Sequence, residues 1–201
     1  MKTKWIVATL VVYSAAFVFS CSDKKQAEPH DHAMEHASTD QMPTEAAAPT
    51  FSVDPGFQNQ LAEVFTAYVD LKEAFVATDV AKVKSAAART MEAVSKVDMK
   101  LLAGAAHNDW MTYLTGLESS LKSIQKSENI EEQRTSFSQL SDNLYKSIKA
   151  FGLGGVSAYY EFCPMAFNNQ GAYWLSDNEA IRNPYFGDKM LKCGSVEEKL
   201  Q

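Results

Sequence analysis

From Gly56 to Cys163 the chain contains no proline, and between Phe57 and Phe151 only Gly104 and Gly116 interrupt a glycine-free stretch. Proline removes a backbone donor and glycine costs about 1 kcal/mol inside a helix, so their absence over such a length is what long helices require. The apolar residues recur at helical spacing. Asp54-Pro55 supplies an N-cap and first-turn proline for one helix, with a stripe of Leu61, Val64, Phe65, Tyr68, Leu71 and Phe75. Asp79 can cap a second, carrying Val80, Val83, Ala87, Met91 and Val94. A third runs near His107 to Ile124 through Trp110, Leu114, Leu117 and Leu121. Asn129 with Glu132 forms a capping-box-like start for a fourth, whose stripe of Phe137, Leu140, Leu144, Ile148 and Phe151 stops at Gly152. Four amphipathic helices on short connections predict a mainly α fold, an antiparallel four-helix bundle.

Beyond Gly152–Gly155 the character changes. "VSAYYEF" and "AYWL" are rich in β-branched and aromatic residues, and "NNQG" between them can turn a hairpin. Ser176 with Glu179 suggests a short helix over 177–182, and "YFGDKMLKCG" a second one ending at Gly194. The expected architecture is therefore the bundle with a C-terminal β-hairpin and short helices, over residues 51–201.

The N-terminus sets the compartment. Lys2 and Lys4 precede an uncharged apolar run from Trp5 to Phe19, too short for a spanning helix and suited to an export signal over residues 1–20. The run ends in "VFSC", which resembles the bacterial lipobox and makes Cys21 the expected lipidation site, with the mature chain anchored to a membrane and facing the periplasm. From Ser22 to Thr50 there is no Val, Ile, Leu or aromatic residue, so residues 21–50 are expected to form a disordered tether. Within it "HDHAMEH" gathers His30, His32, Met34 and His36. Short histidine-rich tracts bind Cu or Zn, so these four are auxiliary metal-ligand candidates; a merely solubilising spacer is the plainer alternative. The formal charge of −6 becomes −8 without the signal lysines, which disfavours nucleic acid as a partner.

Two sulfur-bearing stretches carry the remaining chemistry. Cys163 and Met165 in "EFCPMA" share a face in extended chain, and Met190 and Cys193 in "KMLKCG" share a face on a helical turn. Thiolate and thioether together select soft ions, Cu(I) above all, with Ag(I) or Zn(II) as alternatives. His107, the one histidine outside the tether, is a fifth candidate ligand, although a histidine on an apolar stripe is commonly a hydrogen-bonded core residue. Equally, Cys163 and Cys193 are the only thiols left once Cys21 is lipidated, and exported thiols within reach tend to pair. A disulfide across that loop contributes about 3–4 kcal/mol on the chain-entropy estimate. On spacing alone it is the simpler assignment, leaving a disulfide-stabilised interaction module as the alternative function. Neither a CxxC nor a nucleophile–base signature supports an enzyme.

The blocks "CPMA", "NPYFG" and "MLKCG", with "VDMKLLAGAAHNDWM" upstream, resemble a bacterial lipoprotein family of unknown function whose domain also occurs fused to periplasmic adaptors of heavy-metal (copper/silver) RND efflux pumps. The resemblance spans about Phe57 to Val196. It implies a metal-associated helical domain with Cys163, Met165, Met190, Cys193 and His107 as ligands, and an efflux system or its adaptor as partner. It tips the balance from disulfide toward metal, with copper buffering or delivery to efflux as the expected function.

Overall fold

The structure, a computed structural model, describes residues 47–201 together with the strand Thr44–Glu45. The signal over 1–20, Cys21, and the tether ligands His30, His32, Met34 and His36 lie outside the described residues. Four helices form the body: α1 (Pro55–Val76), α2 (Val80–Ser95), α3 (Gly104–Lys126) and α4 (Ile130–Phe151). Each consecutive pair packs together, as short connections demand. None of the described helices is long and apolar enough to cross a membrane.

The helix ends are set by their own residues. Asp54 accepts a hydrogen bond from the Gly56 amide (2.7 Å), Asp79 from Lys82 (3.0 Å), and Asn129 from Glu131 (2.8 Å) and Glu132 (3.3 Å). Each satisfies donors that the first turn leaves unpaired, typically worth about 1 kcal/mol. Gly152, at φ +73°, ends α4 in a conformation that favours glycine. The stripes are buried as their spacing requires, from Leu61 through Phe75 on α1 and from Phe137 through Phe151 on α4. One end of the core is closed by Phe57, whose ring lies edge-on to Trp110 (5.2 Å) and Phe151 (5.1 Å).

The C-terminal part is a four-stranded sheet, ordered β1–β4–β2–β3: β1 (Thr44–Glu45), β2 (Ala158–Cys163), β3 (Ala172–Ser176) and β4 (Ser195–Leu200). β2 and β3 make the expected hairpin, with Glu161 opposite Trp174 and Cys163 opposite Ala172. β3 leans on α4 and α1. Its outer edge is closed by side chains: the Leu175 amide donates to the Tyr68 hydroxyl (3.1 Å), and the Tyr185 hydroxyl donates to the Tyr173 carbonyl. An edge bonded in this way offers no template for another strand.

Three features depart from expectation. No helix forms over 177–182, because local side-chain bonds capture the amides first: Ser176 Oγ accepts from Asn178, and Asn178 Oδ1 from Ala180. The stretch toward Gly194 holds only a 3₁₀ turn, Gly187–Lys189, opened by Gly187 at φ +56°. And a further strand, β4, pairs antiparallel with β2, while β1, inside the segment expected to be tether, pairs in parallel with β4 at Thr44–Glu198 and Glu45–Lys199. Thr50 and Phe51 also donate amides to the Lys149 and Ala150 carbonyls at the end of α4.

Candidate functional site

The alternation of β2 turns Glu161 and Cys163 toward one face. Cys163 is fully buried. Its partner arrives from the segment before β4, where the Cys193 amide donates to the Met190 carbonyl (3.0 Å). The fully buried Asn183 holds this segment from both sides. Its Nδ2 donates to the Cys193 carbonyl (2.7 Å), and its Oδ1 accepts from the amides of Tyr185 (2.8 Å) and Phe186 (3.3 Å). Gly194 then lets the chain close on β2: a Cβ there would sit 2.8 Å from both the Phe162 carbonyl oxygen and the Trp174 ring.

The two sulfurs meet, with Cys163 Sγ 3.0 Å from Cys193 Sγ, both as free thiols and Cys193 half-buried. That gap decides what little motion each outcome needs. A disulfide bond is about 2.05 Å long, so closure takes roughly 1 Å. Two thiolates sharing one ion at about 2.3 Å stand about 3.8 Å apart in tetrahedral geometry, so loading takes a similar opening. The hydrogen bond to Cys163, reinforced by burial, pushes the Cys193 thiol up to about 11, so Cys193 is protonated at neutral pH.

Met165 and Met190 line one groove of about 420 Å³ with Phe167, Tyr185, Phe186 and Arg134. Met165 is 45% exposed and Met190 half-buried. The two thiols thus meet each other, and the two methionines share a groove of which neither cysteine is a lining residue. The chain leaves β2 through a left-handed run: Phe167 (φ 49°, ψ 54°), Asn168 (φ 57°, ψ 47°) and Asn169 (φ 66°). For Phe167 this costs about 1–2 kcal/mol, while the two asparagines tolerate it better, and such strain clusters at functional sites.

His107 does not join them. It stands in the first turn of α3, one turn before Trp110, which packs on Phe57 and Phe151. The sulfur groove instead reaches Glu131 and Arg134 in the first turns of α4. The length of α4 between these ends is about 30 Å at 1.5 Å per residue. His107 therefore leaves the candidate set, in which Cys163, Met165, Met190 and Cys193 remain. Among the described residues no group of three or more His, Cys, Asp or Glu side chains could hold a metal ion. Met165 and Met190 are the further soft donors nearest in sequence to the two thiols.

Beside Cys163 lies a polar cluster that the sequence did not announce. Glu161 is fully buried, and neither of its oxygens has a hydrogen-bond partner. Burial outweighs the attraction of Lys72 and of the nearby Trp174 indole, and raises the carboxyl to about 8. Lys72, also buried, donates to Ser176 Oγ (3.2 Å) and pairs with Glu73 (2.9 Å), which Arg182 caps with 2.9–3.1 Å contacts. The signal was present in part: Glu161 has the parity of Cys163, and Lys72 stands four residues after Tyr68 on the buried stripe of α1.

The model of a protein family of unknown function, DUF3347, matches residues 64–155. The match covers most of the four helices and ends before Cys163, so none of the blocks "CPMA", "NPYFG" and "MLKCG" falls within it. No curated protein and no solved structure matches the chain.

Proposed function

We propose that this chain is a lipid-anchored, periplasm-facing protein that binds one soft metal ion, Cu(I) or its analogue Ag(I), and buffers it or passes it to a heavy-metal efflux system. The observation that supports this is the meeting of Cys163 and Cys193, with Met165 and Met190 lining one groove. Two thiolates and one or two thioethers form a donor set that prefers soft monovalent ions to Zn(II). Loading displaces the thiol protons, so the apparent affinity rises with pH. His30, His32, Met34 and His36 form a separate, weaker site in this proposal.

The test is a Cu(I) titration of reduced protein against a chromogenic Cu(I) chelator, with Zn(II) as control. One equivalent is expected to bind tightly. Cys163→Ser and Cys193→Ser are expected to abolish that binding, and Met165→Leu and Met190→Leu to weaken it by about tenfold each, or 1.4 kcal/mol. Deletion of residues 22–40, which spares β1, is expected to leave it intact. Binding that survives both cysteine variants would overturn the proposal.

The thiol contact itself also favours a second function, a helical interaction module closed by a Cys163–Cys193 disulfide and docking on an envelope partner without metal. Intact mass after thiol blocking of natively isolated protein separates the two. Blocked thiols at Cys163 and Cys193 support the metal site, and their absence supports the bridge.

A further inference from the structure

We infer that Cys163 and Cys193 form a reversible dithiol–disulfide couple that exchanges with low-molecular-weight disulfides, and that Cys193 is the sulfur through which exchange enters. Three observations carry this. The thiols already touch at 3.0 Å, within about 1 Å of bonding distance. The corner is held by contacts that owe nothing to a bond between the sulfurs. Asn183 grips the Cys193 carbonyl, its Oδ1 gathers the Tyr185 and Phe186 amides, and β2 is paired on both sides by β3 and β4. The fold is therefore complete with two thiols, and making or breaking the bond requires no refolding. Finally, the pair is asymmetric: Cys163 is sealed at 0% exposure, whereas Cys193 is only half-buried, and exchange depends on access to the sulfur attacked.

The chemistry balances with a disulfide as the oxidant. Cys193 gives its proton to water and attacks one sulfur of the disulfide, forming a mixed disulfide and expelling a thiolate that takes up a proton. Cys163 then loses its proton, attacks Cys193 Sγ and expels the second thiol. Two electrons pass from the pair to the co-reactant, one disulfide is consumed, and one intramolecular disulfide and two small thiols are formed. Reduction is the reverse, with the incoming thiol attacking Cys193. A further consequence, which rests on the proposed metal site, is that the bridged form cannot hold Cu(I), so the couple gates that site.

The experiment uses the full chain carrying Cys21→Ser, equilibrated at graded ratios of reduced to oxidised glutathione, acid-quenched, thiol-blocked and weighed. A single transition involving both thiols is expected, identical when approached from the reduced and the oxidised side. At early times, peptide mapping of the mixed disulfide should place glutathione on Cys193. Cys163→Ala should accumulate that adduct, whereas Cys193→Ala should acquire one at least tenfold more slowly; Cys163→Ser and Cys193→Ser repeat the comparison with a different replacement. A pair that stays reduced or stays bridged at every ratio overturns the couple, and glutathione found first on Cys163 overturns the entry point. Adding Cu(I) to both end states separates the two claims. Tight uptake of one equivalent by the bridged form overturns the gate, whereas no tight uptake by either form overturns the metal site and leaves the couple standing.

Discussion

The bundle and the sulfur corner are built by different physics. In the bundle each residue's place follows from its neighbours three and four positions away, and the ends are set by caps within the same turn. In the corner, strands and loops distant in sequence are joined by single side chains, with Asn183 bridging residues on either side of the 3₁₀ turn. The backbone there includes three consecutive left-handed residues that carry side chains. The bundle spreads its stability over many apolar contacts, whereas the corner concentrates it in a few polar ones. Damage to the first should lower global stability and leave the thiols together. Damage to the second should part the thiols at a smaller global cost.

The largest expected effects test that contrast directly. Phe57→Ala empties a fully buried site between Trp110 and Phe151 and should cost about 3–5 kcal/mol in urea unfolding. At temperatures where this variant remains folded, oxidation should still join Cys163 to Cys193. Asn183→Ala removes three hydrogen bonds and leaves buried partners unsatisfied, for about 2–4 kcal/mol. Its thiols should become independently alkylated and bridge at least tenfold more slowly. Equal loss of bridging in both variants would erase the distinction.

Glu161 sharpens the same comparison through pH. A carboxyl raised from 4.5 to about 8 holds its proton more tightly in the folded than in the unfolded chain. Between those values the native state binds more protons, so stability falls as pH rises, at up to about 1.4 kcal/mol per unit. The stabilisation is complete below about pH 4.5 and is lost as pH climbs through about 8. Urea midpoints measured from pH 5 to 8 should therefore drop by a few kcal/mol equivalents in the wild type. In Glu161→Gln they should stay nearly flat. A flat wild-type curve would mean that Lys72 and Trp174 neutralise the buried charge after all.

How far the sequence foretold each region follows the same division. Asp54, Asp79, Asn129 and Gly152 act where they stand, so the helix ends were legible, as were the stripes they bound. The meeting of Cys163 and Cys193 was legible as one of two outcomes, because two exported thiols within reach tend to pair. What was hidden depends on distance along an axis or on long-range partners. His107 has a plausible spacing to Trp110, yet only the antiparallel order of α3 and α4 reveals which end of the bundle it occupies. β4 was obscured by its charged residues, which are poor strand formers and are accepted here because Tyr145 and Lys149 both bind Glu198 at 2.6 Å. The capture of amides by Ser176 and Asn178 overrode a capping pattern that resembled a helix start.

The smallest effect isolates the backbone from every contact. Asn108 and Asn168 are both exposed asparagines, the first within α3 and the second in the left-handed run. Asn108→Ala replaces a middling helix former by the best one and should stabilise by about 0.5 kcal/mol. Asn168→Ala puts a less tolerant residue at φ 57°, where asparagine is among the few side chains that settle, and should destabilise by about 1 kcal/mol. One substitution, made in two regions of similar exposure, is thus expected to change sign because the backbone beneath it differs. Thermal or urea midpoints on the two variants, with Asn168→Gly as the strain-free control, measure that difference. If Asn168→Ala proved neutral, the turn that joins β2 to β3 would be free to leave its left-handed conformation, and the corner would owe its shape to Asn183 and the strand pairing alone.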